Sequence, residues 1–309
     1  MSKVGNYLSL IKFSHTIFAM PFALIGFCLG LPGNNLAMPR VFSIDSLYHK
    51  LLIGGNPFGY VAVYLALVIL CMVFARSAAM AFNRYLDRDI DALNPRTAIR
   101  EIPKGVITAE NALIFTVASC VLFVVTCYFI NHICLFLSPV ALAIILGYSY
   151  TKRFTPLCHL ILGLGLSLAP IGAYLAVTGV FHLLPVLFSL TVLFWVSGFD
   201  IIYALQDEEF DKSQQLYSIP VWLGKAKGLR VSELLHLLSA TAVIVAGLYG
   251  HFGWLYWIGV AVFLGMLIYQ HSIVKPNDLR KVNLAFMTAN GIASVVFAIF
   301  VIADLFINT

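Results

Sequence analysis

Long uninterrupted apolar runs, not alternating positions, dominate this chain. They recur at roughly residues 13–31, 60–82, 111–130, 133–150, 159–178, 182–203, 232–250, 254–274 and 284–306. Each is near the about 20 residues a helix needs to cross the hydrocarbon of a bilayer. Continuous apolarity argues for helices, because the strands of a membrane barrel alternate between lipid-facing and lumen-facing residues. The pattern therefore predicts an all-α membrane protein: one domain over residues 1–309, a bundle of nine transmembrane helices. The first run follows Lys3 and Lys12 and is long for a cleaved leader, so it reads as a retained span. The connections at 131–132, 179–181 and 251–253 are so short that their flanking helices must be antiparallel neighbours. The first connection, about 32–59, is longer and rich in Gly, Pro and Asn.

Composition agrees. Of the 309 residues, 61% are hydrophobic and 11% charged, against about 45–50% apolar and about 25% charged in soluble domains. The net charge of +5 comes from scattered residues and forms no basic stripe of the kind nucleic acid needs. The bilayer is the expected surrounding, and no obligate protein partner is indicated. The six cysteines lie singly in or beside apolar runs and lack metal-type spacing, so they read as packing residues. Of the 19 basic residues, 16 fall in the N-terminal tail and the second, fourth, sixth and eighth connections. By the positive-inside rule these regions and the N-terminus face the cytoplasm, and nine spans leave the C-terminus outside.

Eight of the 14 acidic residues lie in two short stretches at the cytoplasmic ends of the second and sixth spans. In the first, Asn83, Asp87 and Asp91 are four apart; in the second, Asp200, Tyr203, Asp207 and Asp211 have helical spacing. Each set shares one helix face. Stacked like charges repel, so something positive must offset them. Mg²⁺ fits, since it takes oxygen ligands, commonly one or two carboxylates with phosphate oxygens and water. Arg76 and Asp200 lie within apolar runs, where a charge is functional or paired. His15 and Asn290 also interrupt apolar runs. Asn290 reads as interhelical glue; His15 reads either as a core residue or as a contact to a ligand.

These residues resemble the UbiA superfamily of intramembrane prenyltransferases. Its motif N-x-x-x-D-x-x-x-D is matched by Asn83, Asp87 and Asp91, and its motif D-x-x-Y-x-x-x-D-x-x-x-D by Asp200, Tyr203, Asp207 and Asp211. Many members carry Asp directly after the motif Asn; Arg84 stands here instead. The segments 94–105, 148–155, 218–220 and 223–224 look like those of 4-hydroxybenzoate polyprenyltransferases and of relatives proposed to prenylate a naphthoate in the futalosine route to menaquinone. The resemblance implies a central cavity opening to the cytoplasmic side of a bacterial inner membrane. It implies Mg²⁺ on Asn83, Asp87, Asp91, Asp207 and Asp211, and a polyprenyl diphosphate bound with help from Arg88, Lys152 and Arg153. A small aromatic acceptor of ubiquinone or menaquinone biosynthesis would be oriented or deprotonated by Asp200 or Tyr203. Tyr150, Tyr174 and Phe199 are candidates to face the allylic cation. Haem or chlorin prenylation and a transporter remain the alternatives.

Overall fold

A computed structural model describes residues 3–11, 18–31 and 57–307. His15, Lys12, Arg40, Lys50 and nearly all of the first connection lie outside the described residues. The elements are helical throughout: α1 Lys3–Leu10, α2 Met20–Leu29, α3 Pro57–Leu86, α4 Arg88–Leu93, α5 Ala109–Ile130, α6 His132–Thr151, α7 Cys158–Thr178 and α8 Leu183–Ala204. There follow α9 Glu208–Ser213, α10 Ile219–Leu223, α11 Lys225–Tyr249, α12 Trp254–Ile273, a π-helical turn Leu284–Ala289, and α13 Asn290–Ile307. Among the described residues eight helices are long and apolar enough to span a membrane, and the protein is an integral membrane protein. The first apolar run is represented by α2, whose ten residues make about 15 Å of helix, half a hydrocarbon core.

Between apolar helices in lipid, burial supplies little driving force, so association relies on close packing and interhelical hydrogen bonds. Two glycines permit the closest approaches. A methyl group at Gly26 would overlap the Pro170 carbonyl and draw α2 off α7, and one at Gly163 would overlap Leu193 O and Ser197 Oγ between α7 and α8. α2 thereby nests against α7, α8 and α13. Around it Phe22, Phe188, Trp195, Phe263 and Phe297 form an aromatic core with almost no exposure.

The turns opposite the acidic motifs are closed by side chains. Asn131 caps α6 by accepting from Cys134 N (2.8 Å) and donates to Leu175 O (2.8 Å). Asp304, buried on α13, accepts from Gly253 N (2.7 Å) and Tyr256 N (3.3 Å), satisfying the first turn of α12. Asn290 accepts from Trp195 Nε1 (2.9 Å) and Gln270 Nε2 (2.8 Å), joining α8, α12 and α13, in the role expected for it.

Candidate active site

Both acidic motifs straddle a helix junction and not one straight helix. Asp87 stands between α3 and α4 with φ −91°, ψ 2°; Asp207 stands before α9 with φ −102°, ψ 0°. Both occupy the sparsely populated bridge region where many active-site residues sit. Both are N-cap residues of a short helix, yet neither side chain caps it. Their carboxylates stay available to the interior. Backbone continuity survives each junction, with Asp91 N on Asp87 O and Asp211 N on Asp207 O, both at 2.7 Å.

The motifs face one another across a single cavity of about 750 Å³. Asn83, Asp87, Asp91, Asp200, Tyr203, Asp207, Asp211 and Lys152 all line it. Basic side chains hold three of the acids. Lys152 Nζ lies 2.6 Å from Asp87 Oδ2, and Arg153 lies 3.0 Å from Oδ1. Asn83 Nδ2 also donates to Asp87 Oδ2 (3.0 Å). Arg100 NH1 grips both oxygens of Asp91 at 2.6 and 2.7 Å. Arg96 pairs with Asp207 and donates to the Tyr203 hydroxyl (2.8 Å). The loop after the first motif thus binds the second, and Asn94 Nδ2 adds a long contact to Asp207 (3.4 Å). Asp211 has no basic partner within bonding distance among the described residues. Burial, and then the charge of Asp207, push its carboxyl up to about 6.

Deeper in the cavity lie Arg76 and Arg84. Arg84 is buried, and its Nε meets no hydrogen-bond partner among the described residues. A buried cation without a bonded acid favours an anionic visitor. On the facing wall Asp200 accepts from His159 Nδ1 (2.7 Å). Phe18, Phe199 and Phe286 meet edge-on or tilted beside it, with ring centroids 5.3–5.5 Å apart. Most of the remaining lining is apolar and comes from α3, α5, α6 and α7, as far as Ile130 and Leu175, with Phe181 just beyond α7.

Among the described residues no group of three or more His, Cys, Asp or Glu is already gathered as a metal cage. The donor set nevertheless fits Mg²⁺. It is all oxygen, it approaches from two sides, and it leaves positions for phosphate and water, as this ion requires.

Three expectations are corrected. Arg88 does not line the cavity; it bonds Tyr85 O (2.8 Å) and sits 3.6 Å from Asp89, on the solvent side of α4. Tyr150 is 46% exposed and also off the cavity, its ring tilted against Phe82 and under the Arg153 guanidinium, because its position on α6 faces outward. Tyr174 is buried in the aromatic core, away from the lining. Arg153 reaches the site only from behind, through Asp87 and the Leu86 carbonyl (3.1 Å). Phe199 does face the cavity.

Residues 51–292 match the UbiA prenyltransferase family. A 4-hydroxybenzoate octaprenyltransferase of Nitrosomonas europaea is 30% identical over 242 residues, 78% of this chain and 82% of that protein. The apo structure of a UbiA homologue from Aeropyrum pernix K1 superposes with a TM-score of 0.74 at 28% identity, over 95% of this chain and 98% of that one. A UbiA homologue from Archaeoglobus fulgidus, solved with DMAPP and Mg²⁺, has the same fold, with a TM-score of 0.65 at 22% identity, over 98% of this chain and 99% of that one.

Proposed function

Because this chain belongs to the UbiA prenyltransferase family, we propose that it transfers a polyprenyl group from a polyprenyl diphosphate to a small aromatic acceptor, with Mg²⁺ as cofactor. The acceptor class is a hydroxybenzoate or a hydroxynaphthoate of quinone biosynthesis. The observation that carries this reading is the convergence of both acidic motifs, Lys152, the buried Arg84 and the half-buried Arg76 on one cavity whose far part is apolar. A diphosphate with a long hydrocarbon tail has that same division. The solved relative that holds DMAPP with Mg²⁺ supports the diphosphate, and the name of the Nitrosomonas relative supports the acceptor.

The residues divide the work by position. Asp87, Asp91, Asp207 and Asp211, with the amide oxygen of Asn83, would hold Mg²⁺. When bound, the ion neutralises the charge that grows on the leaving diphosphate. Lys152, Arg96 and Arg100 already stand within bonding distance of these acids. From there they reach the same phosphate oxygens, arginine in the paired geometry that suits phosphate. Arg84 and Arg76 hold negative charge deeper in the cavity. Apolar walls from α5, α6 and α7 take the hydrocarbon and keep water from the allylic cation. Phe18, Phe199 and Phe286 present ring faces and edges to the cation and to a flat acceptor.

In the membrane, we place the motif-bearing end in the cytoplasm, with the first apolar run completing a ninth span. The concentration of basic residues at that end supports this orientation.

Incubation of purified protein with geranyl diphosphate, Mg²⁺ and a panel of hydroxybenzoates and hydroxynaphthoates, read by mass spectrometry, tests the proposal. A C-prenylated acceptor with stoichiometric diphosphate release is expected. Absence of transfer across the panel, or flux of a solute without diphosphate release, overturns it.

A further inference from the structure

We propose that His159 is a positioning residue for Asp200. It donates from Nδ1 to one carboxylate oxygen, so that the other is presented to the acceptor as the base that takes its ring proton. This rests on the prenyl-transfer reading above and adds a residue to it.

The tautomer follows from what surrounds the ring. His159 sits on the first turn of α7 and is 2% exposed. Its Nε2 faces the backbone N–H of Ile219 at 3.4 Å, the first residue of α10. A backbone N–H has only a proton to offer, so Nε2 must present its lone pair. A proton on Nδ1 is the arrangement that serves both contacts, donated to Asp200 Oδ2 at 2.7 Å. Whether or not Nε2 also carries a proton, Nδ1–H remains the group that faces Asp200. His159 is thus a fixed donor to Asp200 and not a proton shuttle. The acid and the ring lie on adjacent, tightly packed helices, with Gly163 one turn beyond His159 allowing α7 to close on α8.

Asp200 is unlike the other acids of the site. Asp87, Asp91 and Asp207 each have a lysine or arginine within bonding distance. Among the described residues Asp200 has only the histidine. Its Oδ1 makes no hydrogen bond among the described residues, and the side chain, 24% exposed, lines the cavity beside Phe199 and Tyr203. A carboxylate oxygen left without a hydrogen bond has lone pairs free to take a proton, which is what a base requires. It also stands at the border between the charged end of the cavity and its aromatic wall, where a flat acceptor would lie.

The step balances. The allylic C1–O bond breaks with its electron pair leaving on diphosphate. A ring carbon of the acceptor supplies the pair for the new C–C bond. The proton on that carbon passes to Asp200 Oδ1, its C–H pair restores the ring, and Asp200 later releases the proton to water.

Two amides separate the histidine's two bonds. His159→Asn places an amide N–H near Nδ1 and gives up the contact to Ile219; His159→Gln reaches the Nε2 position and gives up Asp200; His159→Leu gives up both. Steady-state kinetics with geranyl diphosphate and the best acceptor of the panel should show His159→Asn within about fivefold of the parent kcat. His159→Gln and His159→Leu should fall by about 100-fold, the low end of what a positioned base supplies, with KM for geranyl diphosphate unchanged. Asp200→Asn should lose at least as much, and adding His159→Leu to it should cost nothing further, because the histidine acts through the acid. The reverse order, with Gln active and Asn inactive in step with thermal unfolding in detergent, would reduce His159 to a cap for α10 and overturn the assignment. Parent-like turnover by His159→Leu also overturns it and leaves prenyl transfer standing. A parent protein that prenylates no acceptor overturns both.

Discussion

The polar groups lining the cavity and those joining α8, α11, α12 and α13 both lie within an apolar bundle, yet they are assembled on opposite principles. The second cluster contains no acid and no Lys or Arg. Asn290 takes hydrogens from Trp195 and Gln270 and donates to Phe286 O (3.0 Å). His236 bonds His271 (2.8 Å) and the Trp195 carbonyl (3.2 Å). These groups bond chiefly one another, and among the described residues Gln270 Oε1 and His271 Nδ1 are left over. Around the cavity, charges of both signs are gathered and capacity is left over: an oxygen of Asp200, the guanidinium of Arg84, the carboxyl of Asp211. Neutral contacts hold helices together, while charge facing a hollow is arranged for a visitor.

The sharpest way to break this contrast is to remove an acid. Asp87→Ala or Asp207→Ala should cut turnover with Mg²⁺ and geranyl diphosphate by at least about 1000-fold, as expected for loss of charge stabilisation on a leaving group. Substantial activity in both would remove the metal assignment. Lys152→Ala should chiefly raise KM for the prenyl diphosphate, by about tenfold, the value of one charge-assisted hydrogen bond; unchanged kinetics would return Lys152 to a topological role. On the other side of the comparison, Asn290→Leu should destabilise the bundle by about 1–3 kcal/mol, because it strands the Trp195 and Gln270 donors. Thermal unfolding should register this while KM for the prenyl diphosphate holds. A variant equally stable but poorly active would merge the two clusters into one.

The smallest effect is in pH. Asp211 has a folded-state value near 6, above the ordinary 3.8 of an aspartate. The folded protein therefore binds this proton more tightly than the unfolded chain, and stability is lost as pH rises from about 4 to about 6, fully so above that. A cation at the site removes that cost only where Asp211 is ionised. Mg²⁺ should raise the unfolding temperature more at about pH 7.5 than at about pH 5, and Asp211→Asn should flatten the difference.

The spans and motif columns were legible because they depend on local period alone: twenty apolar residues make a span, and a spacing of four makes a face. Eight of the nine expected spans are long helices among the described residues, and both motifs line a common cavity. What local period cannot carry is which partner crosses to which acid. Arg96 and Arg100 read as loop charges, but they fold back onto Asp207 and Asp91 over separations of 111 and 9 residues. His159 read as one residue of an apolar run, although a histidine following Lys152 and Arg153 at a span's first turn was a usable signal. Arg88 and Tyr150 failed because the break at Asp87 and the outward face of α6 set directions that spacing does not give. The π-helical turn at Leu284–Ala289 has no sequence mark at all.

α6 is a partition only one helix thick. Leu137, Ala141, Ile144 and Tyr148 line the hollow, while Phe136, 76% exposed, looks outward from the same helix. Under the proposed function, an isoprenoid dissolved in the bilayer would be separated from its destination by this one helix. It need never cross water, so its concentration per unit area of membrane, and not per litre, sets the rate. Diluting vesicles at fixed lipid composition should leave saturation by a long-chain donor untouched, whereas adding inert lipid should shift it in proportion.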